Sequence, residues 1–164
     1  MNILDILNES VAITDVYHGT KTKFDKFEQT KGRVSTIFGT EEVDRYGFFF
    51  TKDLDYARSF ASDGGHIIVA DLHLTNILDL CNGFLDADMV KLVEQGISER
   101  YMCNVYPEDM WQCFDGVNGE HLQHAIAAAG YDGVMLEESA DERKYVKTYI
   151  VFDSNKIKIK KIIQ

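Results

Sequence analysis

Apolar residues recur along this chain in two periods: alternation or short unbroken runs that mark strands, and spacings of three and four that mark helices. The first run, Ile13 to Tyr17, predicts a strand ending in His18-Gly19-Thr20. Phe24 and Phe27, set among charged residues, read as apolar anchors of the turn or short helix that follows. Gly47-Phe48-Phe49-Phe50-Thr51 is a short aromatic strand, after which Asp53 is placed to cap a helix through Tyr56, Ala57 and Phe60. Ser62-Asp63-Gly64-Gly65 ends that helix and turns the chain. His66 to Leu74 and, more briefly, Asn76 to Leu80 read as strands, whereas Met89, Val90, Leu92 and Val93 have helical spacing within 86–95. Pro107 can begin a helix carrying Met110, Trp111 and Phe114 on one face. His121 to Ala129 is a clearer helix stopped by Gly130, and Tyr131 to Leu136 turns into a strand. Tyr145 to Phe152 is a long strand, followed by a turn at Asp153-Ser154-Asn155 and a last strand to Ile163. Thr30 to Arg45 shows no sustained period and predicts a long loop, while the acidic run Glu137 to Glu142 reads as a solvated loop or as part of a site. Strands predominate with helices between them, which is the α+β class, in a single domain over residues 1–164 with no repeat and no linker.

Composition narrows the classes. A chain of 164 residues that is 45% hydrophobic and 12% aromatic can bury a proper core and is not disordered. Its formal charge is -10, and the one concentrated basic run, Lys156 to Lys161, alternates lysine with isoleucine as a half-buried strand does. Such a surface argues against a broad phosphate-binding footprint, and so against a nucleic-acid partner. Cys81, Cys103 and Cys113 are odd in number and lack CxxC spacing, so they read as reduced thiols in a reducing compartment, the cytoplasm. No stretch has the length to span a bilayer, and the N-terminus lacks the build of a secretory signal. His121 and His124 share a helix face but have no ligand spacing with the cysteines, and no metal site is expected.

The stretch that carries chemistry is Tyr17-His18-Gly19-Thr20, where an imidazole and an exposed backbone stand side by side at a strand end. A glycine there lets a ligand approach the main chain. Together with Gly47-Phe48-Phe49-Phe50-Thr51 and Tyr56-Ala57-Arg58-Ser59-Phe60, it resembles the diphtheria-toxin and PARP-like branch of the ADP-ribosyltransferases, the His-Tyr-Glu type. The resemblance continues through Gly64 to Leu80 and returns at Tyr149-Ile150-Val151-Phe152-Asp153; Gly130 to Met135 also resembles phage and mobile-element members. It implies a split β-sandwich of two small antiparallel-rich sheets with flanking helices, and NAD as substrate in the cleft between them. In that resemblance His18 fixes a ribose hydroxyl of the adenosine half, and Gly19 offers N–H and C=O to the nicotinamide carboxamide. Phe49 and Phe60 sandwich the nicotinamide, keeping the stacking face of the family's tyrosines and losing the hydroxyl. Thr20 and Thr51 complete the cofactor-side set.

The third motif departs from the family. Where members carry a glutamate before the last long strand, this chain has Thr148, which can bond a ribose and supplies no charge. Three explanations stay open. The carboxylate comes from Glu137, Glu138 or Glu142, with Glu142 preferred because it shares strand parity with Thr148 in an extended chain; or the acceptor supplies it; or the domain binds NAD without reacting. The paired carboxylates of arginine-directed transferases are absent, since Val146 and Thr148 hold those positions. The expectation is therefore a mono-ADP-ribosyltransferase acting on NAD and a macromolecular acceptor, a protein before a nucleic acid. A phage effector in the host bacterial cytoplasm fits the compact, acidic chain. The alternatives are a non-catalytic NAD or ADP-ribose binder, or a structural protein that kept the fold. Residues 1–9 read as a short amphipathic helix through Ile3, Leu4 and Leu7, or as a targeting segment, because Leu7-Asn8-Glu9 resembles the sites cut by phage prohead proteases in packaged proteins.

Overall fold

In the computed structural model, residues 11–28, 30–36, 39–98, 106–141 and 144–164 are described. The N-terminal segment 1–9, Cys103 and Glu142 lie outside them. Seven strands form one sheet in the order β6-β7-β8-β4-β1-β5-β9: Ile77–Asp79 (β6), Gly133–Asp141 (β7), Lys144–Val151 (β8), Phe48–Thr51 (β4), Val11–Thr20 (β1), His66–Leu74 (β5) and Ile157–Ile163 (β9). All neighbours are antiparallel except β6 and β7. Among the described residues three α-helices accompany them, Leu54–Ala61 (α1), Asp86–Glu94 (α2) and Gly116–Ala128 (α3), with a 3₁₀ turn at Pro107–Phe114. The α+β class stands.

Three expectations change in detail. The two small sheets are continuous, yet their junction is thin: β1 and β4 are paired at Tyr17↔Thr51, while β1 runs beside β5 from Val11 to Thr20 and β4 beside β8 along its whole length. Beyond Tyr17 the two halves part, and a split opens between residues 18–20 and 48–50. The loop expected over 30–45 is a β-ribbon, Thr30–Thr36 (β2) paired with Gly39–Arg45 (β3). The ribbon joins no strand of the main sheet, and its sequence carries no sustained apolar alternation. The acidic run 137–141 is likewise strand, in β7, and not a loop.

The remaining elements follow the pattern. α3 begins at Gly116, a turn earlier than its periodicity shows, because Gly116 and Gly119 conceal the first turn. Met110 and Phe114 of the 3₁₀ turn are buried beneath it. Alternation sorts the strands between two cores. One face of the sheet gathers Ile13, Val16, Phe27, Phe48, Phe50, Ile68, Leu72 and Val151. The other packs Leu78, Val134, Leu136 and Ile150 under Leu92, Phe114, Leu122 and Ile126 of the helices. A fully buried leucine or isoleucine contributes roughly 1.5–3 kcal/mol, so these two clusters hold the sheet rigid. On this second face α1 covers β1 and β5 through Ala57, Ala61 and Ile67. Between α1 and the other helices lies a strip of β4 and β8.

Candidate functional site

Val16 points into the first core, and alternation puts His18 on the same face, at the split. Its half-buried ring meets Phe24, Phe27 and Phe50 at centroid distances of 6.0, 5.1 and 5.6 Å. Nδ1 lies 2.8 Å from the carbonyl oxygen of Phe49. A carbonyl only accepts, so Nδ1 carries the proton and Nε2 keeps its lone pair. Burial holds the imidazole below its usual pKa against the opposing pull of the Phe49 bond, so the ring is neutral near pH 7. His18 thus ties the two half-sheets across their split and presents an acceptor nitrogen.

Gly19 has a structural reason beyond ligand access. A Cβ there would stand 1.9 Å from the Ala57 carbonyl oxygen, because α1 crosses β1 with backbone against backbone. Gly65 is held in the same way, 1.9 Å from the Ala61 oxygen. Thr20 and Thr51, expected beside the substrate, have local partners. Thr20 Oγ1 donates to the Thr22 carbonyl at 3.1 Å and accepts its N–H at 3.2 Å, and Thr51 Oγ1 accepts the Asp53 N–H at 3.1 Å.

Phe49 points to the helical face, opposite Phe48 and Phe50. Its ring carries the Arg45 guanidinium 5.4 Å from the centroid; the same guanidinium lies 5.5 Å from the Trp111 ring and is gripped at 2.8 and 3.1 Å by both oxygens of Asp115. At most one face of Phe49 is therefore open to a second planar group. Phe60, 51% exposed on α1, stands edge-on to Tyr56 at 5.0 Å. α1 itself is anchored where Asp53 accepts the Tyr56 N–H at 2.8 Å and pairs with Lys144 at 2.5 Å. Lys144 and then the Tyr56 N–H hold the Asp53 carboxyl below its usual range.

The strip between the helices is polar where the pattern calls for apolar groups. Thr148 is opposite Thr51 on one side and Leu136 on the other, and is 3% exposed. Its hydroxyl oxygen has no hydrogen-bond partner among the described residues. One step along β7 on the same face is Glu138, also buried, whose Oε2 accepts the Tyr56 hydroxyl at 2.9 Å. Burial, then the neighbouring Glu138 charge, pushes the Tyr56 phenol well above its usual pKa, so it remains a donor. Glu137 is on the opposite face, in register with Lys147.

The sequence named His18, Phe49 and Thr148 as candidates and preferred Glu142, which lies outside the described residues, over Glu138; it gave no role to Tyr56, Arg45 or Asp115. The signal that points to Glu138 is the hairpin. Pairing Gly133 with Val151 sets Leu136 against Thr148 and puts Glu138 on the helical face, as alternation then requires.

Outside this strip, two shallow depressions mark the surface. One is lined by Lys26, Phe27, Phe48, Phe152 and Ser154, the other by Gln95, Ile97, His121 and His124. Among the described residues no group of three or more potential metal ligands gathers, and no helix is long and apolar enough to cross a membrane. No curated protein matches the chain. A model of the family described as ADP-ribosyltransferase in polyvalent proteins matches residues 12–162.

Proposed function

The chain belongs to that family of ADP-ribosyltransferases, and from this premise we propose that it moves a single ADP-ribose from NAD to a protein acceptor and releases nicotinamide. The observation that carries the reading is the state of His18. Its Nδ1–H is spent on the Phe49 carbonyl, which fixes the ring at the split between the half-sheets and leaves Nε2 to accept a ribose hydroxyl. Phe49 and Phe60 belong to the helical side of that split and would flank the nicotinamide. The unpartnered hydroxyl of Thr148 fits a ligand rich in hydroxyls, since a buried oxygen with no partner costs about 1–3 kcal/mol until something bonds it.

A second reading rests on Thr148 itself. With no glutamate at that position, the domain would bind NAD or ADP-ribose without cleaving it, or would keep the fold as a structural element alone. Action as a phage effector on bacterial host proteins is the proposed setting, and a housekeeping gene neighbourhood would count against it.

The test is nicotinamide release by purified protein, with and without bacterial lysate, beside His18→Ala. Transfer predicts release that rises with lysate and falls about tenfold or more when His18 is removed, as loss of one well-placed hydrogen bond implies. A melting temperature raised by NAD without release would select the binding module. No rise and no release would leave only the structural role.

A further inference from the structure

We infer that Glu138, held by the Tyr56 hydroxyl, is the catalytic carboxylate of this domain and does from β7 the work for which Thr148 on β8 has no charge. The inference rests on the transferase reading above. Bond cleavage between nicotinamide and C1′ of its ribose leaves the bonding pair on the ring nitrogen, which becomes neutral, and builds positive charge at C1′. A carboxylate facing C1′ stabilises that charge, in an enclosed site more strongly than in water. The acceptor's nucleophile then bonds to C1′ and gives its proton to the carboxylate, which returns it to water.

Three observations select Glu138. It is the buried carboxylate of the polar strip: β7 and β8 run in register with Leu136 opposite Thr148, so Glu138 is the diagonal neighbour of Thr148 on the same face. Side chains so related on paired strands lie within reach of one ligand. Its bonding is also incomplete. A carboxylate has about four acceptor sites, and Tyr56, at 2.9 Å, is its hydrogen-bond partner among the described residues. The remaining sites, together with the Thr148 hydroxyl, suit two adjacent ribose hydroxyls. Finally, Tyr56 is itself oriented by the α1 cap at Asp53, which Lys144 of β8 pins, so the donor that aims Glu138 is fixed to the strand that carries Thr148.

The experiment compares wild type, Glu138→Gln, Tyr56→Phe and the double variant Glu138→Gln/Thr148→Glu, reading nicotinamide release and the rise in melting temperature with NAD. Glu138→Gln keeps shape and hydrogen bonding and removes the charge, so release falls about 10²-fold or more while the NAD-induced rise persists. Tyr56→Phe loosens the carboxylate and costs about tenfold. Returning a carboxylate to position 148 recovers at least part of the loss, which a merely structural hydrogen bond between Tyr56 and Glu138 could not explain. Wild-type release in both Glu138→Gln and Tyr56→Phe overturns the assignment of Glu138 and leaves the transferase reading intact. An absence of release in the wild type overturns both.

Discussion

Two carboxylates near the two ends of β7 divide the molecule into what is complete and what is left open. Asp132, just before the strand, is saturated. Its oxygens accept the Thr75 N–H at 2.7 Å, the Thr75 hydroxyl at 2.8 Å and the Asn76 N–H at 3.0 Å, with Lys156 at 3.5 Å. Burial raises its pKa, but the Asn76 and Thr75 donors outweigh that and hold it below the usual range. Glu138 is more buried and has Tyr56. The first group welds the start of β7 to β6 and leaves no capacity for a ligand. The second costs the fold something to keep, because a buried charge with few partners is expensive. The same contrast runs through the structure: Arg45 with Asp115, and Gly19 against α1, are closed arrangements, whereas His18 Nε2 and the Thr148 hydroxyl are open. Substitutions in the closed set should cost stability. In the open set they should cost chemistry, and where the open group makes no contact with the fold, as at the Thr148 hydroxyl, they should leave stability unchanged or improved.

The largest effect falls at Gly19, where the two sets meet. Adding one methyl places Cβ 1.9 Å from the Ala57 oxygen, backbone against backbone, so α1 must shift. Gly19→Ala should destabilise by about 3 kcal/mol, the upper end for overpacking a well-packed site. Urea denaturation should show a lower midpoint with NAD absent as well as present. An unchanged midpoint with reduced NAD binding would return Gly19 to the open set, as a residue kept for ligand access.

That position also shows how much could be read from the sequence. Apolar runs and spacings set by burial were legible: the span of β5 was read residue for residue, and α1 with its Asp53 cap from its spacing. Segments without such a pattern were not. The ribbon β2–β3 joins no strand of the main sheet, and its sequence carries no sustained alternation. In β7 a buried glutamate breaks the alternation, and Glu138 was judged with its acidic neighbours as one run. Gly19 was recognised but explained by the ligand, because helix-to-strand approach depends on tertiary contacts that no local motif encodes.

Asp132 comes next in size. Asp132→Ala leaves the Thr75 and Asn76 N–H groups without their acceptor and should cost about 2 kcal/mol, measured by urea denaturation. A titration sharpens the point. The folded pKa of Asp132 lies below its unfolded value, so the unfolded chain takes up the proton first. Its stabilisation is therefore present above the unfolded carboxylate pKa, near 3.9, and is lost as pH falls through the folded value. The difference between wild type and Asp132→Ala should shrink steadily on acidification below about pH 4. A difference independent of pH would mean that the clasp acts by packing alone.

The smallest expected effect has the opposite sign, and for that reason separates the two sets most cleanly. Thr148→Val replaces a hydroxyl that has no partner among the described residues with a methyl of nearly the same shape. In a site packed to 3% exposure, removing an unsatisfied oxygen should stabilise the protein by about 1 kcal/mol. A buried hydroxyl that served the fold would give a loss on the same substitution, as Thr51 should, since its oxygen accepts the Asp53 N–H that starts α1. If Thr148→Val raises the urea midpoint while the NAD-induced rise in melting temperature shrinks, the hydroxyl is retained for the ligand at the expense of stability. If the midpoint falls, Thr148 belongs with Asp132 among the closed contacts, and the polar strip loses its hydroxyl as an argument for a binding site.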